Sequence, residues 1–373
     1  MIAEIKKCVY FFLPILVFLG APLFVFIWSG EAIPLGEVIA LQSGEKSALF
    51  GRAYSDVDQA YKIQTQSMRG ADVVVIGSSR AMYIRREFFL PEVTFYNAGG
   101  VARNVNGFHE FLLNVPKEKY PKIILMGIDQ RWFRSDYAPP KDAIDVHADH
   151  AWKEFFKYSW KKIYQDYVQN KFVFADLFKD QSNLRLIGLT ALASGSGFRS
   201  DGSQYSRGFI DSPSKMKMLK SKVDSAITEV VGGRINFDYG NEINEKSVHA
   251  VESFLNECAK NNIIVIGYMS PHAPSLYKKI QEVNKLQSSV LTSTLEEVFA
   301  RNGFVLYDLS DVSPYLGTDD EFIGDPWHGG DKLFAKVFAG LTLNNLTLKN
   351  IVDVTRLNDV IASSTDPHTV FPN

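Results

Sequence analysis

The chain opens on an uninterrupted apolar stretch and passes through a mixed polar segment. From about residue 71 it settles into short β-branched runs separated by amphipathic ones. Val9–Trp28 (VYFFLPILVFLGAPLFVFIW) has twenty residues and no charge, the length that a membrane-spanning helix needs. Asp72–Ile76 (DVVVI), Val93–Tyr96, Ile123–Met126, Ile263–Tyr268 and Phe304–Tyr307 are short apolar runs, the pattern of strands buried on both faces. Between and after them the spacing predicts helices over 105–115, 244–260, 275–301 and 331–343. The second of these carries the stripe Val248, Val251, Phe254, Leu255 and Cys258. Alternating strand and helix predicts an α/β domain with a mostly parallel five-stranded sheet between helix layers. Residues 134–243 break the rhythm and read as an insertion. It holds an aromatic amphipathic helical region and a Ser-Asp-Gly turn within SGSGFRSDGSQY. The expected organisation is a cytoplasmic tip and anchor over 1–30, a stalk and first helix over 31–70, the α/β domain over 71–350, and a C-terminal tail over 351–373, polar and disordered after about residue 360.

Composition narrows the class. Hydrophobic residues make up 46% and charged residues 22%, a globular balance, and the net charge of −2 comes with no clustered basic face. A nucleic-acid partner is therefore not expected. Lys6 and Lys7 precede the apolar stretch, whereas Glu31, Glu37 and Glu45 follow it. This asymmetry keeps the N-terminus in the cytoplasm and sends the rest across the cytoplasmic membrane, with the bilayer as a partner of the N-terminal helix. Tyr10 and Trp28 stand near its ends, where interfacial aromatics belong. A cleaved signal peptide is the rival reading, but the run is long for one and no small-x-small site clearly follows. Cys8 precedes the run, which argues against a lipoprotein site. Cys8 and Cys258 are the only cysteines, and the fold is not expected to rest on a disulfide.

The polar turns all follow strands: GSSR, NAGG, GIDQ, SPH and the loop carrying DPWH. Parallel sheets build their sites at the carboxyl ends of strands. Neither a dinucleotide fingerprint nor a P-loop follows the first strand, and no cofactor is expected. A serine becomes a nucleophile when a histidine takes its proton, a carboxylate orients that histidine and donors meet the developing oxyanion. Ser79, His328 and Asp325 supply these residue types, and the Ser79 N–H stands at the start of a helical turn, where it can face an anion.

Gly77-Ser78-Ser79 after the first strand and Asp325-Pro326-Trp327-His328 near the end resemble, in order and position, the SGNH (GDSL-type) hydrolase superfamily. The G-S-S form and the N-terminal anchor look closer to membrane-anchored relatives, the DltD proteins of teichoic-acid alanylation and the alginate O-acetylation proteins. The resemblance covers about residues 70–345 apart from the insertion. It implies a three-layer flavodoxin-like fold and a Ser79-His328-Asp325 triad. It also implies an oxyanion hole from the Ser79 N–H, a Gly99 or Gly100 N–H and the third-motif position, Asp129. The implied function is an extracytoplasmic ester hydrolase or O-acyltransferase acting on acyl (acetyl) esters of a cell-surface polysaccharide. The alternative is a weak or inactive accessory protein assisting a membrane-bound acyltransferase or a polysaccharide assembly complex. Two departures stand out. Ser78 replaces the family Asp, and Asp129 stands where the family has Asn. An ionised carboxylate cannot donate to an oxyanion.

Arg80 and Arg199 are further candidates for substrate contact, each against a plainer structural role, as is His272 in SPHAP. Asp145, His147, Asp149 and His150 are metal-capable types without a coherent ligand set, and no metal is expected. Trp152 and Trp160 suit core or interface packing better than sugar stacking.

Overall fold

Within DVVVI the side chains alternate. Val73 and Val75 enter one buried cluster with Phe88, Phe334 and Phe338, while Val74 and Ile76 enter another with Phe108, Phe111 and Phe254. A strand buried on both faces needs helices on both faces, and three layers follow. The computed structural model describes residues 2–44, 46–137, 145–146, 149, 151–232 and 242–371. They divide into two compact units, residues 1–57 with 147–200, and residues 58–146 with 201–373.

The second unit holds the strands β1 (Val73–Gly77), β2 (Phe95–Gly99), β3 (Ile123–Ile128), β4 (Ile264–Met269) and β5 (Val305–Asp308). Their spatial order is β2-β1-β3-β4-β5, and every pair is parallel. This is the order of open flavodoxin-like sheets, whose switch point lies between β1 and β3. The expected α/β class and the five parallel strands are therefore present. Each strand runs one to three residues past its expected end. Apolar runs mark only the buried middle, whereas ladder hydrogen bonds also take in Asn97 and the terminal glycines.

The helices fall near their expected places, at Asn106–Asn114, Glu245–Lys260, Pro274–Arg301 and Asp331–Leu341. The Asn244 side chain caps the second by accepting from the Lys246 and Ser247 N–H groups. The C-terminal segment differs from expectation. Val354–Ser363 is helical, and Thr369 Oγ1 and the Val370 N–H donate to the buried carboxylate of Asp331 at 2.8 and 2.7 Å. A buried acceptor that must be satisfied orders residues whose composition reads as a polar tail.

In the first unit, α1 covers Ile2–Trp28. Strand Ala48–Phe50 pairs in parallel with Arg185–Ile187 and antiparallel with Phe198. The residues expected to form a stalk are thus partly sheet. Among the described residues no helix is long and apolar enough to cross a membrane. The side chains of Lys7–Val9 and Leu16 lie outside them. The span expected over Val9–Trp28 therefore falls partly outside the described residues. Asp149 accepts from the Leu35 N–H at 2.8 Å and from Arg52 at 3.1 Å. It holds a helix start and a guanidinium in place. Among the described residues no three acidic, His or Cys side chains group as metal ligands; His147 and His150 lie outside those residues.

Lys62, on helix Asp58–Arg69, is fully buried and donates to the carbonyls of Asn97, at 2.9 Å, and Gly202. Burial pushes its amine down to about 7, partly offset by Asp58 and Asp201. The unfolded chain therefore binds this proton and the folded chain releases it between pH 7 and the ordinary lysine value. Stability from this group rises with pH across that window, by about 1.4 kcal/mol per unit. Denaturant unfolding from pH 7 to 10 is expected to give a steeper rise in wild type than in Lys62→Met. Equal slopes would contradict the assignment.

Candidate active site

β1 ends in Gly77, and the chain turns through Ser78 into a short helical turn, Ser79–Ala81, whose first residue is exposed. Ser78 Oγ accepts from the Arg80 N–H at 3.2 Å and fixes the turn. A Cβ on Gly99 would sit 2.9 Å from Ala81 C and 3.0 Å from Met82 N. Only glycine lets the end of β2 pass that close to the serine turn. Asn97 locks the same turn from β2, its Nδ2 donating to the Ala81 and Ile84 carbonyls at 2.9 and 2.8 Å.

The histidine arrives on a closed loop. Phe322 and Gly329 bridge antiparallel, and the Ile323 N–H donates to the His328 carbonyl at 2.7 Å. Asp325 Oδ1 accepts from the Trp327 and His328 N–H groups at 2.9 and 3.1 Å, shaping the loop as an Asx-type turn. The same carboxylate meets His328 Nδ1 at 2.8 Å, and His328 Nε2 meets Ser79 Oγ at 2.9 Å. Ser79, His328 and Asp325, separated by some 250 positions in sequence, therefore form one hydrogen-bonded chain. Burial pushes the Asp325 carboxyl up. The His328 hydrogen bond and charge, with the two amides, outweigh it and hold the group below the usual carboxylate range.

The neighbouring amides are otherwise engaged. The Gly99 N–H donates to Asn97 Oδ1 at 2.7 Å, and the Gly100 N–H to the Gly77 and Ser78 carbonyls, both at 3.0 Å. The expectation that either faces an oxyanion does not match this bonding. The Ser79 N–H, first in its turn, has no acceptor within that turn. Asp129 is buried, accepts from Ser270 Oγ at 2.9 Å and pairs with Arg80 at 3.5 Å and Arg131 at 3.7 Å. It serves as an acceptor for cations and a hydroxyl.

Arg80 differs from expectation too. Its side chain is buried and donates to Trp327 O at 3.2 Å, Gln130 Oε1 at 2.8 Å, Ser270 O at 3.0 Å and Pro271 O. It ties the serine turn to the ends of β3 and β4 and to the histidine loop, and its side chain does not face the cleft. His272 is likewise fully buried, its N–H donating to Ser310 O at 3.3 Å. Arg199 belongs to the first unit, and the cleft at Ser79 is built by the second alone. That cleft, about 410 Å³, is lined by Ser79, Asp58, Met82, Arg103, Arg131 and Tyr137 among others. Arg103, Arg131 and Tyr137 were not expected there. Arg103 and Arg131 follow the ends of β2 and β3, so the strand-end rule that selects Ser79 also selects them.

A guanidinium buried among carbonyls and a carboxylate costs about 3–5 kcal/mol when one partner of the pair is removed. Arg80→Met is expected to lower unfolding stability by about that much in denaturant titration, while the exposed Arg103→Met changes it by less than about 0.5 kcal/mol. Equal effects would contradict the role given to Arg80. No protein-family model matches the chain, and no curated protein is significantly similar to it.

Proposed function

We propose that the protein is a serine ester hydrolase or O-acyltransferase of SGNH type, held on the outer face of the cytoplasmic membrane by α1. Its substrates are acyl, in the first instance acetyl, esters of a cell-surface polysaccharide. The observation that carries this reading is the hydrogen-bonded chain from an exposed serine through His328 to Asp325, at the switch point of a parallel sheet. With its proton on Nδ1, directed at Asp325, His328 leaves Nε2 to accept the Ser79 hydroxyl proton. Ser79 Oγ attacks the acyl carbonyl, and the Ser79 N–H meets the developing oxyanion. His328 returns the proton to the departing sugar oxygen. It then takes a proton from water, for hydrolysis, or from a second sugar hydroxyl, for transfer, as that oxygen attacks the acyl-Ser79 carbonyl, and returns the proton to Ser79 Oγ as the Ser79–acyl bond breaks. Arg103 and Arg131 put cationic donors in the same cleft. The apolar, charge-free stretch Val9–Trp28 and the exposed Phe11, Phe12, Val17 and Leu19 of α1 support the membrane placement.

A second reading has its own observation. The Gly99 and Gly100 amides are engaged within the fold, and Asp129 is an acceptor. An oxyanion hole that lacks a donor loses about 10²–10³ in rate. A protein with the triad and a depleted hole fits an accessory role beside a membrane acyltransferase. The two readings separate on labelling by a fluorophosphonate probe. The enzyme reading expects labelling that disappears in Ser79→Ala and hydrolysis of an activated acetyl ester that falls about 10³–10⁴-fold in Asp325→Asn. Absent labelling, with biological function retained in Ser79→Ala, would leave the accessory role.

A further inference from the structure

We propose that Arg131, held in place by Asp129, is a catalytic residue that gives the oxyanion its second donor beside the Ser79 N–H. The proposal rests on the serine-ester reading above and names a group which that reading leaves open.

As Ser79 Oγ bonds to the acyl carbon, His328 takes the hydroxyl proton and the carbonyl electron pair moves onto its oxygen. As that pair returns, the bond to the departing sugar oxygen breaks and His328 protonates the leaving oxygen. The passing negative charge is stabilised most by donors already aimed at it. The Gly99 and Gly100 amides donate to Asn97 Oδ1 and to the Gly77 and Ser78 carbonyls, and Asp129 accepts. A further donor must therefore come from a side chain of the cleft. Tyr137 directs its hydroxyl at the Arg103 carbonyl, at 2.9 Å. The cationic donors are Arg103 and Arg131, and a hydrogen bond from a cation to an anion is roughly twice as strong as a neutral one.

Position separates the two arginines. Arg103 is exposed, where water and salt screen its charge. Arg131 sits in the helical turn Gln130–Phe133, directly after Asp129 at the end of β3. Gln130, Trp132 and Phe133 are buried, the two rings in the cluster with Phe108. Burying them leaves Arg131 as the residue of the turn that looks outward, into the cleft. Its side chain is 25% exposed, and its Nε stands 3.7 Å from Oδ2 of the fully buried Asp129. Asp129 is itself fixed by Ser270 Oγ, at 2.9 Å, and by Arg80, at 3.5 Å. The carboxylate meets the nitrogen nearest the stem, which orients the guanidinium and assigns the cleft to its terminal Nη groups. Burial raises the Tyr137 phenol, Arg131 opposes that rise and Asp129 adds to it, so the ion pair and the phenol share one wall. The acid at the position where the SGNH pattern has an amide then has a physical role. A carboxylate cannot donate to the oxyanion, but it can aim a donor two residues along.

The test uses the full-length protein and p-nitrophenyl acetate, a small neutral ester that offers an arginine no anionic group to bind before reaction. Arg131→Met is expected to lower kcat about 10²–10³-fold while KM stays within about threefold, the split that marks an interaction made only in the transition state. Affinity for a trifluoromethyl ketone, which Ser79 converts to a stable oxyanion, is expected to fall by about the same factor as kcat/KM. Where the Met variant does not fold, Arg131→Gln takes its place, with kcat expected to fall at least about tenfold. Wild-type kcat in the folded variant, a raised KM at wild-type kcat, or ketone affinity that does not follow kcat/KM would overturn the proposal. Each would leave the serine reading intact as long as turnover is lost in Ser79→Ala. A wild-type protein without Ser79-dependent turnover would overturn both.

Discussion

The site depends on one buried guanidinium. Arg80 sits next to the exposed Ser79, yet its own side chain points inward and must find acceptors there or destabilise the fold. It finds them on the end of β3, the end of β4 and the carbonyl of Trp327, the residue before His328. Gln130 extends the tie by donating to Ser270 O and Ser310 Oγ at 2.7 and 2.9 Å, which brings in the loop after β5. Asn97 does the same from β2. The carboxyl ends of all five strands are thus stitched to the turn that presents the serine. The His328 loop is placed by its carbonyl and its closed hairpin. A side chain at the mouth of the cleft need not hold it.

This explains what the sequence could and could not disclose. The parallel sheet was legible because DVVVI and IIVIGY are buried on both faces and read as unbroken apolar runs. Ser79, Asp325 and His328 were legible because chemistry in such sheets collects after strands. Arg80 was misleading. An arginine beside a nucleophile reads as a substrate ligand, and only the carbonyls it meets reveal a clamp. The glycine amides misled for the same reason. Gly99 and Gly100 are present because neighbouring backbone crowds them or because their conformation demands glycine, with φ at +91° for Gly100. Their N–H groups already have acceptors.

The first unit was the least legible part. Its three-residue strands are too short to show a period. Ala48–Phe50 pairs with Arg185–Ile187, more than a hundred positions away, and nothing local in either segment announces the other. The aromatic run after residue 151 was visible as amphipathic, but its orientation was not. Ring contacts along α1 supply that, and they leave Trp152, Phe156 and Phe178 outside.

The central claim is that Ser79 forms a covalent acyl adduct through His328. A site built like this one, with His328 Nε2 2.9 Å from Ser79 Oγ and few oxyanion donors, predicts that the adduct forms and turns over slowly, so that it accumulates. Rapid-quench mass spectrometry with an activated acetyl ester reads this directly. The account predicts a stoichiometric acetyl mass on the peptide containing Ser79, lost in His328→Gln. An unmodified Ser79 peptide, or the same mass retained without His328, would contradict it.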